Sequence, residues 1–157
     1  MKKLEYLSNV SEVTLKYKNG SSYESRVKIS GSATFADVCR ELYDEDEIGY
    51  RESFFVVALN RANQIVGYMK VSEGGTCGTV ADPKMIFAFL ININAAGCIL
   101  THNHPTGNLN PSQADIVLTK KLAKGCEVFE IQLLDHVIIS PENGKYYSLA
   151  DNCDFKY

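Results

Sequence analysis

Thr101-His102-Asn103-His104-Pro105-Thr106-Gly107-Asn108-Leu109-Asn110-Pro111-Ser112-Gln113-Ala114-Asp115 is the stretch on which the reading of this chain turns. Two histidines at i and i+2 of an extended chain point to the same side, so both imidazoles reach one ion. Asn110-Pro111 is a cap followed by proline, which predicts a helix opening at Pro111. Asp115 then lies in its first turns, and Ser112, three residues earlier, projects from the same helical face. Two neutral imidazoles and one carboxylate suit zinc. With His102, His104 and Asp115 as the three protein ligands, a fourth tetrahedral position stays open for water, the arrangement of catalytic rather than structural sites.

Working outward, Cys98-Ile99-Leu100-Thr101 reads as a short buried strand with His102 at or just beyond its end. Before it, Asp82-Pro83 caps a helix through Met85, Ile86, Phe89 and Leu90 that is expected to end near Gly97. Earlier still, Ser53-Phe54-Phe55-Val56-Val57-Ala58-Leu59 is a nearly continuous β-prone run. A turn at residues 60–63 leads into residues 64–71, which makes a central hairpin. After the quoted stretch, Ile116, Leu118, Leu122 and Ala123 continue a helix closed by Gly125. Strands are predicted at residues 128–134 and 136–140, then a turn at Pro141-Glu142-Asn143-Gly144 before Tyr146-Tyr147-Ser148-Leu149.

The N-terminal text differs. Residues 12–17 and 25–29 form an expected hairpin around Asn19-Gly20-Ser21, and Thr34 is the expected N-cap of a helix over residues 35–43. The acidic run Asp44-Glu45-Asp46-Glu47 follows. Strands and helices in this order predict an α/β protein with helices packed on a mixed sheet. The expected organisation is one domain over residues 1–157, with residues 1–43 as a hairpin-plus-helix extension and residues 44–150 as the metal-binding core.

Composition narrows the classes. A chain of 157 residues, 45% of them hydrophobic, buries one substantial core. No apolar run approaches the roughly 20 residues that cross a bilayer, and the start is no signal-peptide core, so a soluble cytoplasmic protein without membrane partners is expected. The five cysteines, Cys39, Cys77, Cys98, Cys126 and Cys153, lack a C-x-x-C pair and read as reduced thiols. A formal net charge of −3 gives no footprint for a phosphate backbone. The Lys120-Lys121 and Lys124 cluster reads as the solvated face of a helix, and Tyr146 and Tyr147 as edge-strand packing.

Zinc chemistry needs a base that is not a ligand, because a carboxylate must take the proton as water attacks a carbonyl. Glu52, beginning the central strand, is the first candidate, and Glu73, in the turn Ser72-Glu73-Gly74-Gly75, the second. The Ser112 hydroxyl is a candidate donor to the developing oxyanion, with simple helix capping as its alternative. His136 either supports the site from outside the ligand set or bonds across the sheet. Cys77 reads as an inert thiol.

At these residues the chain resembles a known family. H-x-H, seven intervening residues and S-x-x-D, with an upstream glutamate, is similar to the JAMM signature of MPN-type metalloenzymes. His102-Asn103-His104-Pro105-Thr106-Gly107 resembles the H-N-H-P-S-G of the bacterial RadC-like branch, with threonine in place of serine. Pro111-Ser112-Gln113-Ala114-Asp115-Ile116 and Leu134-Asp135-His136-Val137-Ile138-Ile139 look like its P-S-x-x-D-I and L-D-H-x-I-I. The likeness spans residues 44–149. It implies a zinc-dependent fold of the cytidine-deaminase-like α/β class, with His102, His104 and Asp115 as ligands, Glu52 as acid/base and Ser112 as oxyanion helper. Residues 1–43 do not read as the helix-hairpin-helix region of longer RadC proteins, which is associated with DNA binding.

The leading expectation is a zinc hydrolase that cleaves an amide or isopeptide bond in a protein or peptide substrate. The alternatives are a DNA-associated role, repair-related or as a metal-dependent nuclease, and a non-catalytic zinc-binding module. Zinc deaminases and H-E-x-x-H metalloproteases are disfavoured because their ligand motifs are absent.

Overall fold

The structure is a computed structural model, and it describes residues 22–74 and 81–152 together with Ser11, Thr14 and Phe155. Most of the expected N-terminal hairpin, with its turn at residues 19–21, lies outside the described residues, as do Cys77 and Cys153. Its second arm is described and is not a strand. Tyr23–Ser25 forms a 3-10 turn, and the arm meets the edge of the sheet at one isolated antiparallel bridge, Lys28 with Gln64, flanked by hydrogen bonds from Ile65 N to Val27 O and from Ile29 N to Asn63 O.

Among the described residues, five strands form one mixed sheet: β1 Ser53–Leu59, β2 Ile65–Glu73, β3 Gly97–Asn103, β4 Gln132–Ile139 and β5 Tyr146–Ser148. Their order is β2-β1-β3-β4-β5, with β3 and β4 parallel and the other neighbours antiparallel. Strands β1 and β3 lie in the interior of the sheet and are buried along their whole length, which is why their text is a continuous apolar run rather than an alternating one. The central hairpin expected from residues 53–71 is present as β1 and β2.

Three α-helices cover the sheet: α1 Ser32–Cys39, α2 Pro83–Asn92 and α3 Gln113–Val128. On one face Phe54, Val56 and Ala58 of β1 and Cys98 and Leu100 of β3 pack with Ile86 and Leu90 of α2 and Leu122, Ala123 and Cys126 of α3. On the other, Phe55, Val57, Leu59 and Ile99 pack with Phe35, Ala36 and Cys39 of α1. Strict period-two alternation along β1 therefore feeds two cores. The helix expected within the N-terminal extension is thus the layer that covers the second face.

Several boundaries moved, each for a physical reason. Helix α1 starts two residues before Thr34, after Gly31, and gives way at Arg40–Leu42 to a 3-10 turn. Asp82 does cap α2, its side chain accepting from Lys84 N, but the helix stops at Asn92, because Asn94 takes the left-handed conformation (φ 54°). Helix α3 is capped by Ser112 rather than Asn110, and it runs through Gly125 to Val128. Gly125 is no terminator; a Cβ there would lie 2.3 Å from Phe87 Cζ, so it is the point where α2 and α3 approach.

The two strands expected over residues 128–140 are one strand, β4. Register shifts between the Cys98–Leu133 and Ile99–Asp135 pairs, so Leu134 is the extra residue of a bulge. The bulge reverses the alternation. Leu133 and, beyond it, His136 and Ile138 share the face of α2 and α3, whereas Val137 and Ile139 face α1.

Among the described residues, no helix is long and apolar enough to cross a membrane. Cys39, Cys98 and Cys126 are free, buried thiols. Lys120, Lys121 and Lys124 are exposed on α3, and Tyr146 and Tyr147 lie half-buried on the edge strand β5.

Candidate metal centre

His102 is the penultimate residue of β3, fully buried between β1 and β4, and not at the strand's end as expected. Its ring stacks on that of its cross-strand partner Phe54, with centroids 5.9 Å apart and planes 9° apart. His104 follows the last strand residue and still donates its backbone N–H to Ile139 O at 3.1 Å. The i, i+2 alternation brings the two Nε2 atoms within 2.9 Å. Asp115 closes the group from the first turn of α3, with Oδ1 3.5 Å from His102 Nε2 and Oδ2 3.8 Å from His104 Nε2.

Helix capping aims this carboxylate. Ser112 Oγ accepts from Asp115 N at 3.1 Å, and Asp115 Oδ2 accepts from Ser112 N at 2.7 Å, a reciprocal capping box. Oδ2 is thereby engaged, and Oδ1 is the oxygen turned to His102. The Ser112 hydroxyl accepts in this bond, which leaves its own proton available to donate. Capping and oxyanion donation are thus compatible in one exposed side chain.

Hydrogen bonding decides which nitrogen of each imidazole faces the centre. His104 Nδ1 lies 2.5 Å from Asn108 O, and a carbonyl only accepts, so Nδ1 carries the proton and Nε2 the lone pair. The intervening loop is held by Gly107, left-handed at φ 76°, whose N–H donates to His104 O. His102 Nδ1 faces His136 Nε2 at 2.8 Å, and His136 Nδ1 faces Thr119 Oγ1 at 2.6 Å. Burial holds both buried rings neutral. It pushes His102 down to about 4, with His104 adding to the fall and Asp115 opposing it, and His136 falls well below its ordinary value for the same reason.

One ligand atom from each of His102, His104 and Asp115 lies within 4.8 Å of the others. Neutral nitrogen and anionic oxygen lone pairs brought this close repel one another unless a cation sits between them. The donor set, two imidazoles and a carboxylate, is one that transition metals accept. These three residues can hold a metal ion.

Glu52 and Glu73 part company. The Phe54–His102 pair, continued along the antiparallel register, sets Glu52 opposite His104 at the same end of the sheet. Glu73 pairs with Ser53 and belongs to the α1 side, where Arg51 Nη1 at 3.0 Å and Lys70 Nζ at 2.9 Å both bond it. The Lys70 and Arg51 hydrogen bonds hold its carboxyl below the usual range, the opposite of what a base requires.

Two functional neighbours escaped the sequence reading. Thr119 lies on the buried stripe of α3, and a polar residue on an apolar stripe was the available signal. Asn103, between the histidines, is fully buried on the opposite face. Its Oδ1 accepts from Ser53 N at 2.8 Å, and its Nδ2 donates to Ile48 O and Arg51 O, both at 2.7 Å, so it clasps the backbone on either side of Glu52. His136, left open from sequence, touches His102 directly.

Residues 29–154 match the RadC-like JAB domain. Similar relatives are UPF0758 proteins: one from Flavobacterium johnsoniae is 43% identical over 100 residues, 64% of this chain and 43% of the relative. One from Moorella thermoacetica is 40% identical over 115 residues, 73% and 49% of the two chains. A third, from Salinibacter ruber, is 39% identical over 128 residues, 82% and 53%. The chain spans about half the length of the curated relatives it matches. With a match covering most of its length and a mixed five-stranded sheet carrying the His-His-Asp group, this chain belongs to the RadC-like JAB (JAMM/MPN-type) family.

Proposed function

We propose that this chain is a zinc-dependent hydrolase of amide or isopeptide bonds, acting on a protein or peptide, and that it works as a single domain in the cytoplasm. The observation that carries the reading is the convergence of His102 Nε2, His104 Nε2 and one Asp115 oxygen within 4.8 Å. Ligand atoms roughly 2.0–2.1 Å from a tetrahedral zinc stand about 3.3 Å apart, close to the 2.9 Å between the two Nε2 atoms and the 3.5 Å from His102 Nε2 to Asp115 Oδ1. His102, His104 and Asp115 would hold the ion, which when bound would supply Lewis acidity and make water a nucleophile near neutral pH.

The protein's own contributions follow from position. Glu52 takes the proton of the attacking water and returns it to the leaving amine. The Ser112 hydroxyl donates to the oxyanion that develops on the carbonyl oxygen. Asp115 has its second oxygen anchored on the helix N-terminus, where the macrodipole favours negative charge.

Zinc analysis of the purified chain, followed by turnover assays of wild type and Glu52→Gln on peptide, isopeptide-linked and DNA substrates, tests the reading. Stoichiometric zinc in both, with amide hydrolysis only in wild type, is expected. Hydrolysis of DNA alone would replace it with a nuclease, and zinc without any turnover would replace it with a binding module.

A further inference from the structure

We propose that His136 and Thr119 are positioning residues that set the proton order of a buried chain and thereby present His102 Nε2 as a bare lone pair to the metal. The inference rests on the zinc site proposed above, and its argument is one of direction. Thr119 Oγ1 lies 2.6 Å from Asp115 O and 2.6 Å from His136 Nδ1. The carbonyl has no proton to give, so the single hydroxyl proton of Thr119 points to it. Thr119 then accepts from His136, which places the His136 proton on Nδ1. His136 Nε2 is left as an acceptor, and at 2.8 Å it takes the proton of His102 Nδ1. His102 Nε2 is the atom that remains, 2.9 Å from His104 Nε2 and 3.5 Å from Asp115 Oδ1.

The reverse order fails at both ends. A Thr119 proton turned to His136 Nδ1 would set two oxygen lone pairs against each other at 2.6 Å, at the Asp115 carbonyl. It would also put a proton on His102 Nε2, where a ligand needs none. The chain ends on a backbone carbonyl inside α3, and Thr119, His136 and His102 are all fully buried, so it orients and does not carry protons to solvent. It also ties two ligands together. The carbonyl that receives the Thr119 proton belongs to Asp115, so the helix turn bearing one ligand is hydrogen-bonded, through two side chains, to the strand bearing another.

The two histidine ligands are thus held by different means. His104 is set by a loop carbonyl outside this run of hydrogen bonds, Asn108 O, whereas His102 depends on residues from α3 and β4. Loss of an outer partner of a metal-binding histidine costs about 10–100-fold in affinity.

The test compares full-length wild type, Thr119→Val and Thr119→Ser by chelator competition for zinc, with long-range proton–nitrogen NMR to read the histidine tautomers at neutral pH. Thr119→Val is expected to weaken zinc binding about 10–100-fold and Thr119→Ser to stay near wild type. In wild type, with or without zinc, His136 is expected as the Nδ1–H tautomer. Equal affinity in all three proteins, an equal loss in the serine and valine variants, or His136 as the Nε2–H tautomer would overturn the inference. A wild type that binds no zinc overturns the zinc hydrolase instead, and the tautomer of His136 in the metal-free protein still decides the proton order.

Discussion

Asn103 and Ser53 are joined side chain to backbone, Asn103 Oδ1 accepting from Ser53 N at 2.8 Å, across the pair of strands that carries His102 on its other face. One residue of the H-x-H motif therefore faces away from the candidate metal centre and holds the segment that bears Glu52. Two Nδ2 bonds to Ile48 O and Arg51 O complete the clasp.

Asn103→Ala removes three hydrogen bonds, two buried and one part-buried, and is expected to cost about 3 kcal/mol of folding stability. It leaves the three metal ligands in place. Urea unfolding with zinc analysis and turnover on the folded fraction checks the expectation: stability and turnover fall while zinc content holds. Lost zinc at full stability would contradict it.

Glu52→Gln and Glu73→Gln separate the two acidic candidates. The first is expected to abolish turnover and keep zinc. The second breaks exposed ion pairs with Arg51 and Lys70, which solvent screens, so it is expected to leave both stability and turnover nearly unchanged. Initial rates of both variants on one amide substrate decide, and a silent Glu52→Gln would remove that residue from the mechanism.

Gly125→Ala tests the helix contact. A mid-helix glycine replaced by alanine ordinarily gains about 1 kcal/mol. Here the new Cβ would stand 2.3 Å and 2.8 Å from Phe87 Cζ and Cε2, and that ring is itself packed on Phe129 at 5.5 Å. The sign is therefore expected to reverse, with a lower thermal midpoint in Gly125→Ala and recovery in Gly125→Ala/Phe87→Leu.

Metal-free protein is expected to lose stability on mild acidification. His102, pushed down to about 4 when folded, regains an ordinary value near 6.5 when unfolded. Its neutral state thus contributes fully above about pH 6.5, and that contribution is lost as pH falls towards 4, a change of order a few kcal/mol. His136 acts in the same direction. Asp135 acts oppositely, since burial raises its carboxyl and favours the folded state at low pH. Two histidines against one carboxylate predict a lower urea midpoint at pH 5 than at pH 7 in EDTA, and a smaller difference in His102→Asn.

Local rules made much of this protein legible. Ser53–Leu59 is a strand because its apolar run is bounded by turn residues, and Asp82 caps α2 because its carboxylate accepts from the N–H of Lys84, the first the helix offers after Pro83. His102, His104 and Asp115 were readable as one group because strand alternation and a capped helix start each act within a few residues. The start of α3 shifted by two residues for the same kind of reason, since Ser112 with Asp115 makes a reciprocal cap that Asn110 cannot.

What only the tertiary structure decided lies at longer range. The bulge at Leu134 turns His136 towards a histidine 34 residues earlier, and helix packing brings Thr119 to it across 17 residues. The surroundings of Glu73 were equally hidden, because its pairing with Ser53 and its ion pairs with Arg51 and Lys70 depend on how the strands are assembled. Sequence determined the donors and the elements that bear them, since caps and periodicities are properties of neighbouring residues. Folding decided the donors' orientation, tautomer and partners, because those depend on contacts between segments whose register and bulges are settled only when the sheet is assembled.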